Sequence, residues 1–316
     1  MSSCHMRLRS SQRVATAAIT TVATAAGRSV SPHHRSGLSP VYSWSPCRRA
    51  AAVFAVANGV GLAVSVASGG SHLHLDLIGS GAFVAAVYTT RGAPQHLRPR
   101  LSALLAGIWG ARLAGFLFYR VVNSESQHDA RLEDTAAEHF WAISWLWGVV
   151  CSLPHTVGAG AANPPALGAL GLGAAAFVAA GIAIETVADW QKHGFKANPD
   201  NAGKFCSVGL WTVVQQPNYL GDLMVWSGLL LLNMPSLLVG GSGSAGGAAR
   251  AMLRLSVAAL SPVFMYALFY GQASGAFTNS ASLRDAKYGS DPDYKHYVAS
   301  TPLIIPFWGP PGQQQP

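Results

Sequence analysis

Of 316 residues, 50% are hydrophobic and only 11% are charged, against roughly 25% charged in an average soluble domain, so an ordinary soluble fold is excluded and a membrane protein is expected. The net charge of +8 sits largely in the first fifty residues and is not organised into a nucleic-acid surface, so no nucleic-acid partner is expected. The four cysteines form no Cys-x-x-Cys pair, and His33-His34 and His72-x-His74 lack a third ligand at metal spacing, so neither a disulfide framework nor a metal site follows.

In chain order, the first segment is 1–48. It carries Arg7, Arg9, Arg13, Arg28, Arg35 and Arg48 among Ser, Thr and Ala, and no acidic residue precedes Asp76. That is the composition of an organellar transit peptide. The hydroxyl and alanine bias favours a plastid membrane, with mitochondrion or endoplasmic reticulum as alternatives. Residues 49–311 then read as one membrane domain. Apolar runs near 51–67, 75–89, 101–122, 140–157, 167–188, 220–239 and 253–273 predict an all-α polytopic membrane protein of about seven transmembrane helices. The second run is short and interrupted by Gly79 and Gly81. Trp141, Trp145 and Trp147 near the start of the fourth run read as packing or interfacial aromatics. The Gly/Ser/Ala-rich stretch 240–247 reads as a flexible connector. With seven spans, the loop 123–138, the loop 189–218 and the tail from Asn279 fall on one side of the membrane. No Gly-x-Gly-x-x-Gly or phosphate loop occurs, which excludes a soluble dinucleotide-binding fold.

The chemistry concentrates between Glu185 and Asp222. Glu185, Asp189 and Lys192 stand four and three residues apart, on one face of a helix, and Glu185 lies near the membrane-water boundary, where an ionisable side chain is costly unless paired or used. A polar, turn-rich connection follows, long enough to imply a function. Pro217-Asn218 opens the next apolar run, placing Asn218 as N-cap and Tyr219 to Asp222 in the first turn, where free N–H groups favour an anion. Asp222 there would repel a bare phosphate and suits a ribose hydroxyl or a carboxamide N–H, the donors of a whole nucleotide.

The runs Glu185-x-x-x-Asp189-x-Gln191-Lys192, Phe195-Lys196-x-Asn198-Pro199, Gly203-Lys204-Phe205, Gly209-Leu210-Trp211 and Pro217-Asn218-Tyr219-x-Gly221-Asp222 resemble the steroid 5-alpha-reductase C-terminal family, particularly its uncharacterised DUF1295 branch. Pro-Asn-Tyr-Leu-Gly-Asp is also similar to the sterol C14-reductases. Trp109-Gly110-x-Arg112-Leu113 with Arg120, Ser274-Gly275, and Tyr288-Gly289-x-Asp291-Pro292-x-Tyr294-x-x-Tyr297 extend the resemblance over about residues 75–308. It implies a multi-helix membrane fold whose C-terminal half, within 185–308, encloses NADPH and whose characterised relatives reduce a carbon-carbon double bond. Two departures stand out. Gln215-Gln216 replaces the family's usual Arg-His, and Ala276-Phe277-Thr278-Asn279-Ser280 replaces a stretch that often carries a Pro and a Glu.

The expectation is therefore a membrane-embedded NADPH-dependent reductase acting on a lipophilic small-molecule substrate, steroid-like or another lipid, with the membrane lipids as its other partner. Tyr119 and Glu185 are the expected catalytic groups, one polarising a carbonyl or protonating the carbanion that hydride addition leaves. Arg112, Asp189, Lys192, Lys204, Trp211, Asn218, Tyr219, Asp222 and Tyr294 are expected to hold the dinucleotide, and Arg112 could instead pair with Glu185. The alternatives are an isoprenylcysteine-methyltransferase-like enzyme using S-adenosylmethionine, and a non-catalytic membrane scaffold of the same fold.

Overall fold

The computed structural model of the chain describes residues 42–68, 74–123, 137–242, 244–276 and 280–307, with backbone alone at 137–140 and 280. These residues form helices α1 (Ser45–Ala67), α2 (Leu75–Thr90), α3 (Leu97–Val122), α4 (Ala137–Cys151), α5 (Leu153–Gly158), α6 (Ala169–Ala197), α7 (Pro217–Leu237), α8 (Ala245–Ser274), α9 (Ser280–Tyr288) and α10 (Pro292–Ser300). Among the described residues there is no strand, only an isolated bridge between Tyr42 and Ala161. The all-α, polytopic class expected from the sequence is the one the chain adopts.

All seven apolar runs are helical, but their lengths differ. Five helices, α1, α3, α6, α7 and α8, are long and apolar enough to cross a membrane, whereas α2 and α4 are shorter apolar helices. At about 1.5 Å per residue, the 16 residues of α2 extend short of a hydrocarbon core of about 30 Å. The fourth run is broken at Ser152, because Pro154 has no N–H to donate to the carbonyl one turn earlier. The connector expected at 240–247 is shorter than its composition suggests. Ser244 Oγ accepts from Gly247 N at 3.0 Å, an N-cap that brings Gly246 and Gly247 into α8.

Residues 1–41, 69–73 and 124–136 lie outside the described residues, and with them most of the expected leader and the polar loop after α3. The last residues assigned to the leader are packed, however. Tyr42 donates its hydroxyl to the Val157 carbonyl and lies 4.5 Å from the Arg254 guanidinium, and α1 already begins at Ser45.

The chain divides into two compact units. The first comprises residues up to Leu172 together with Leu229–Ser261. Its core is an aromatic hub in which Phe83 of α2 meets Phe54 of α1, Trp109 of α3 and Trp147 of α4 edge-on, with ring centroids 4.9, 5.0 and 5.1 Å away. Helices α1 and α4 notch into each other, since the glycines at 61 and 148 lie directly against the Trp141 and Phe54 rings. Trp141 also stacks on His74. The tryptophans of the fourth run are thus largely packing residues.

Polar groups of this unit are buried in two arrangements. His155 Nδ1 lies 3.0 Å from Ser102 Oγ and its Nε2 2.9 Å from Thr90 Oγ1, while Asn233 Nδ2 donates to Ser102 Oγ at 2.8 Å. All four residues are at most 1% exposed, which joins α2, α3, α5 and α7 through side chains that water does not reach. Arg98 donates to the carbonyls of Pro165, Ala166 and Leu232, and Arg254 to those of Leu237 and Val239. Two cations therefore serve carbonyls at the C-terminal end of α7, where the helix dipole is negative.

The second unit comprises Gly173–Gly228 and Pro262–Pro316. Its helical seam is made of small residues. A Cβ at Gly181 of α6 would lie 2.6 Å from the Gly221 carbonyl oxygen of α7, and one at Gly221 would lie 2.6 Å from the Glu185 nitrogen. Backbones approach this closely only where side chains are absent, the usual device for packing apolar helices in lipid.

Candidate functional site

The polar half of α6, beyond Ala188, organises the site of the second unit. The segment 198–216 folds back along it. Trp211 Nε1 donates to the Ala188 carbonyl at 3.0 Å, Leu210 N to Gln191 Oε1 at 2.9 Å, and Asn201 Nδ2 to the Phe195 carbonyl at 3.1 Å. Gly209 makes the turn at φ 57°, a conformation that favours glycine, and a Cβ there would displace the Gln191 amide that Leu210 N meets. Trp211, Ala188 and Cys206 form the small core beneath.

The C-terminal helices close over this platform. Asp291 caps α10 by accepting from Asp293 N at 2.9 Å, as Asn198 caps its own short turn by accepting from Asp200 N. Phe205 lies against Tyr288, Tyr294 and Tyr297. Tyr297 donates to the Trp211 carbonyl at 2.7 Å, and Tyr294 to Asp285 Oδ1 at 3.0 Å.

Two adjoining cavities result. The smaller, about 160 Å³, is lined by Lys192, Lys196 and Arg284 together with Phe205, Cys206, Trp211, Gln215, Gln216, Tyr288, Tyr294 and Tyr297. No lining residue is acidic. Lys192 Nζ sits 4.4 Å from the Trp211 ring centroid, and Lys196 Nζ donates to Tyr288 Oη at 2.8 Å and to the Lys204 carbonyl at 3.1 Å. The larger, about 430 Å³, has Gln215, Arg284 and Tyr294 in common with it. Its other walls are Tyr266, Tyr270, Ala273 and Ser274 of α8, Ala281 and Asp285 of α9, and Val298, Leu303, Ile304 and Ile305. Burial raises the pKa of Tyr294 and of Tyr297 above the ordinary phenol value, Asp285 adding to the effect at Tyr294, and burial likewise raises the Cys206 thiol. Near neutral pH these groups are donors or neutral, leaving the smaller cavity positive. It can receive an anion and a flat ring, and the larger can receive an apolar group.

Of the residues expected from sequence, Lys192, Trp211 and Tyr294 line the smaller cavity together. Lys204 points its side chain to solvent and contributes its carbonyl. Asp189 is half-buried on α6. Glu185 (3% exposed) and Asp222 (5%) are buried, with Glu185 against Gly221 at the α6–α7 seam. Tyr219 stacks on Phe269 of α8 with centroids 4.2 Å apart and donates to Gln272 Oε1 at 3.2 Å. The expected cap at Asn218 is corrected. The helix begins at Pro217, and the Gln216 carbonyl accepts from Leu220 N at 3.1 Å, so Gln216 occupies the cap position and Asn218 lies inside the first turn. Proline's fixed φ suits the first helical position, which moves the start two residues earlier and Asp222 out of the first turn. Asn218 Oδ1 is buried without a hydrogen-bond partner among the described residues. Arg112, half-buried, and Tyr119, 44% exposed, stand on α3 of the first unit.

Arg284 lines both cavities and is absent from the residues expected from sequence. Its spacing of four from Tyr288 puts both on one face of α9, a signal that was available. Gln215 and Gln216 were read as lost charge, yet both line the smaller cavity.

The family described as "Protein of unknown function (DUF1295)" matches this chain over residues 63–301. No curated protein and no solved structure matches it.

Proposed function

We propose that this chain, which belongs to the DUF1295 family, is a membrane-embedded NADPH-dependent reductase of a carbon-carbon double bond in a lipophilic substrate, related to the steroid 5-alpha-reductases and sterol C14-reductases. The observation that carries the reading is the pair of adjoining cavities, one cationic and aromatic, the other mostly apolar. A dinucleotide phosphate is the anion to which three cations without a lining carboxylate are complementary. At about 160 Å³ the smaller cavity suits the phosphate portion, and the larger falls within the roughly 300–1,000 Å³ of small-molecule sites.

In this reading Lys192, Lys196 and Arg284 hold the phosphates, and Trp211 and Tyr288 offer ring faces. Asn218, through its buried Oδ1, and Asp222 are acceptors for ribose hydroxyl or carboxamide hydrogens. Bound NADPH would supply hydride. The chain's own part is to exclude water with the apolar walls and to supply a proton or a polarising hydrogen bond. Glu185 and Tyr119 are proposed for that role, and Arg112, Asp189, Lys204 and Tyr219 for cofactor binding. The Arg-rich, acid-free leader supports an organellar membrane, and its Ser, Thr and Ala bias supports a plastid one. A methyltransferase using S-adenosylmethionine fits less well, because the sulfonium and amino group of that cofactor would meet three like charges.

The test is a thermal-stability titration of the full chain in detergent with NADPH, NADH and S-adenosylmethionine. Stabilisation by NADPH is expected, by about 2.7 kcal/mol at a hundred times Kd, and Asn218→Ala and Asp222→Ala should weaken it while remaining folded. Absence of any NADPH effect on the wild type overturns the reading.

A further inference from the structure

We infer that Gln215 is a latch that holds the segment 298–305 in place as the apolar wall of the larger cavity. The inference rests on reading that cavity as a ligand site. Gln215 N donates to the Pro302 carbonyl at 2.8 Å, and its side-chain Nε2 donates to the carbonyls of Thr301 at 2.8 Å and Val298 at 3.2 Å. One residue thus serves three carbonyls of a stretch that leaves regular helix after Ser300. A separate tie, from Tyr297 to the Trp211 carbonyl at 2.7 Å, fixes the last turn before it. Val298, Leu303, Ile304 and Ile305 of the held stretch face the cavity.

The chemistry of the position follows from its acceptors. Two side-chain bonds go to two carbonyls, so the position needs two N–H hydrogens and no negative charge, which a primary amide supplies. A guanidinium offers the same hydrogens. A carboxylate of the same size offers none and sets its charge against both carbonyl oxygens. Because Gln215 lines both cavities, a ligand reaching from one to the other must pass the latch, and its occupancy and the order of the wall are coupled.

The experiment compares wild type, Gln215→Glu, Gln215→Met, Gln215→Arg and Tyr297→Phe as full chains in detergent, digested briefly with chymotrypsin and followed at the bond after Leu303, within the held segment. Gln215→Glu should be cut in this segment about tenfold faster than wild type, the factor that one or two lost net hydrogen bonds allow when opening precedes cleavage. Gln215→Arg should match wild type, and Tyr297→Phe should fall between. Equal cutting of Gln215→Glu and wild type overturns the latch. Should Gln215→Glu fail to fold, Gln215→Met decides, since it removes the side-chain donors without adding a charge, and wild-type cutting there overturns the latch. NADPH is then added to each. Protection of the wild-type segment with loss of protection in Gln215→Glu supports latch and cofactor together, whereas faster cutting of Gln215→Glu with no NADPH effect on any protein leaves the latch standing and removes the cofactor reading.

Discussion

The close backbone approach of α6 and α7 makes a prediction in which one substitution has opposite effects at two places on the same helix. Gly181→Ala puts a methyl group 2.6 Å from the Gly221 oxygen, 2.8 Å from Met224 Cβ and 3.0 Å from the Val225 nitrogen. Two of these three atoms are backbone and have no rotamer to escape into, so α6 and α7 must separate. Overpacking of this kind costs about 1–3 kcal/mol, offset by up to about 1 kcal/mol of helix propensity that alanine gains over glycine. With the full offset the net expectation is a loss of up to about 2 kcal/mol, and a deficit of about 1–3 kcal/mol against Gly194→Ala. Gly194→Ala, further along α6, meets nothing within 4 Å and keeps only the propensity gain, up to about 1 kcal/mol. Reversible unfolding in mixed micelles measures both. Since Glu185 lies at the seam beside Gly221, NADPH-induced stabilisation should also drop in Gly181→Ala and persist in Gly194→Ala. If Gly181→Ala were as stable as Gly194→Ala, the tight seam would be refuted.

Two further predictions concern the core and pH. Phe83→Ala empties the centre of the first unit's aromatic hub, where Phe83 is fully buried, and should cost about 3–5 kcal/mol in the same assay; a loss below about 1 kcal/mol would mean the hub is not tightly packed. The raised pKa of the Tyr294 and Tyr297 phenols means the folded state holds those protons more tightly than the unfolded one. Their contribution is complete below the ordinary phenol pKa of about 10 and is lost as pH rises beyond it. Unfolding midpoints from about pH 9 to about pH 11 should therefore fall in the wild type and fall less steeply in Tyr297→Phe.

Much of the fold was legible because lipid imposes a simple demand: long apolar runs must be helices. The boundaries were less so, for local reasons. Pro154 breaks a run that hydropathy joins, Ser244 caps two glycines into α8, and α6 runs past Ala188 because Gln191, Lys192 and Phe195 find partners in the segment folded against them. At the site, Lys192, Trp211 and Tyr294 were readable as binding residues by type and motif. What Gln215 does was not readable, since its partners are the carbonyls of residues 298–302, and no side chain in the sequence marks a carbonyl's position.

The buried cluster of Thr90, Ser102, His155 and Asn233 bears on how the chain enters its membrane. Synthesis proceeds from the N-terminus, so Thr90, Ser102 and His155 are in place before Asn233 is made. A lone asparagine delivered to a bilayer interior would face a cost of several kcal/mol for its unmet polar groups. Asn233 instead arrives to a waiting hydroxyl at Ser102 for its amide nitrogen, while its Oδ1 keeps no partner among the described residues, so the helices inserted earlier offset part of that cost for α7.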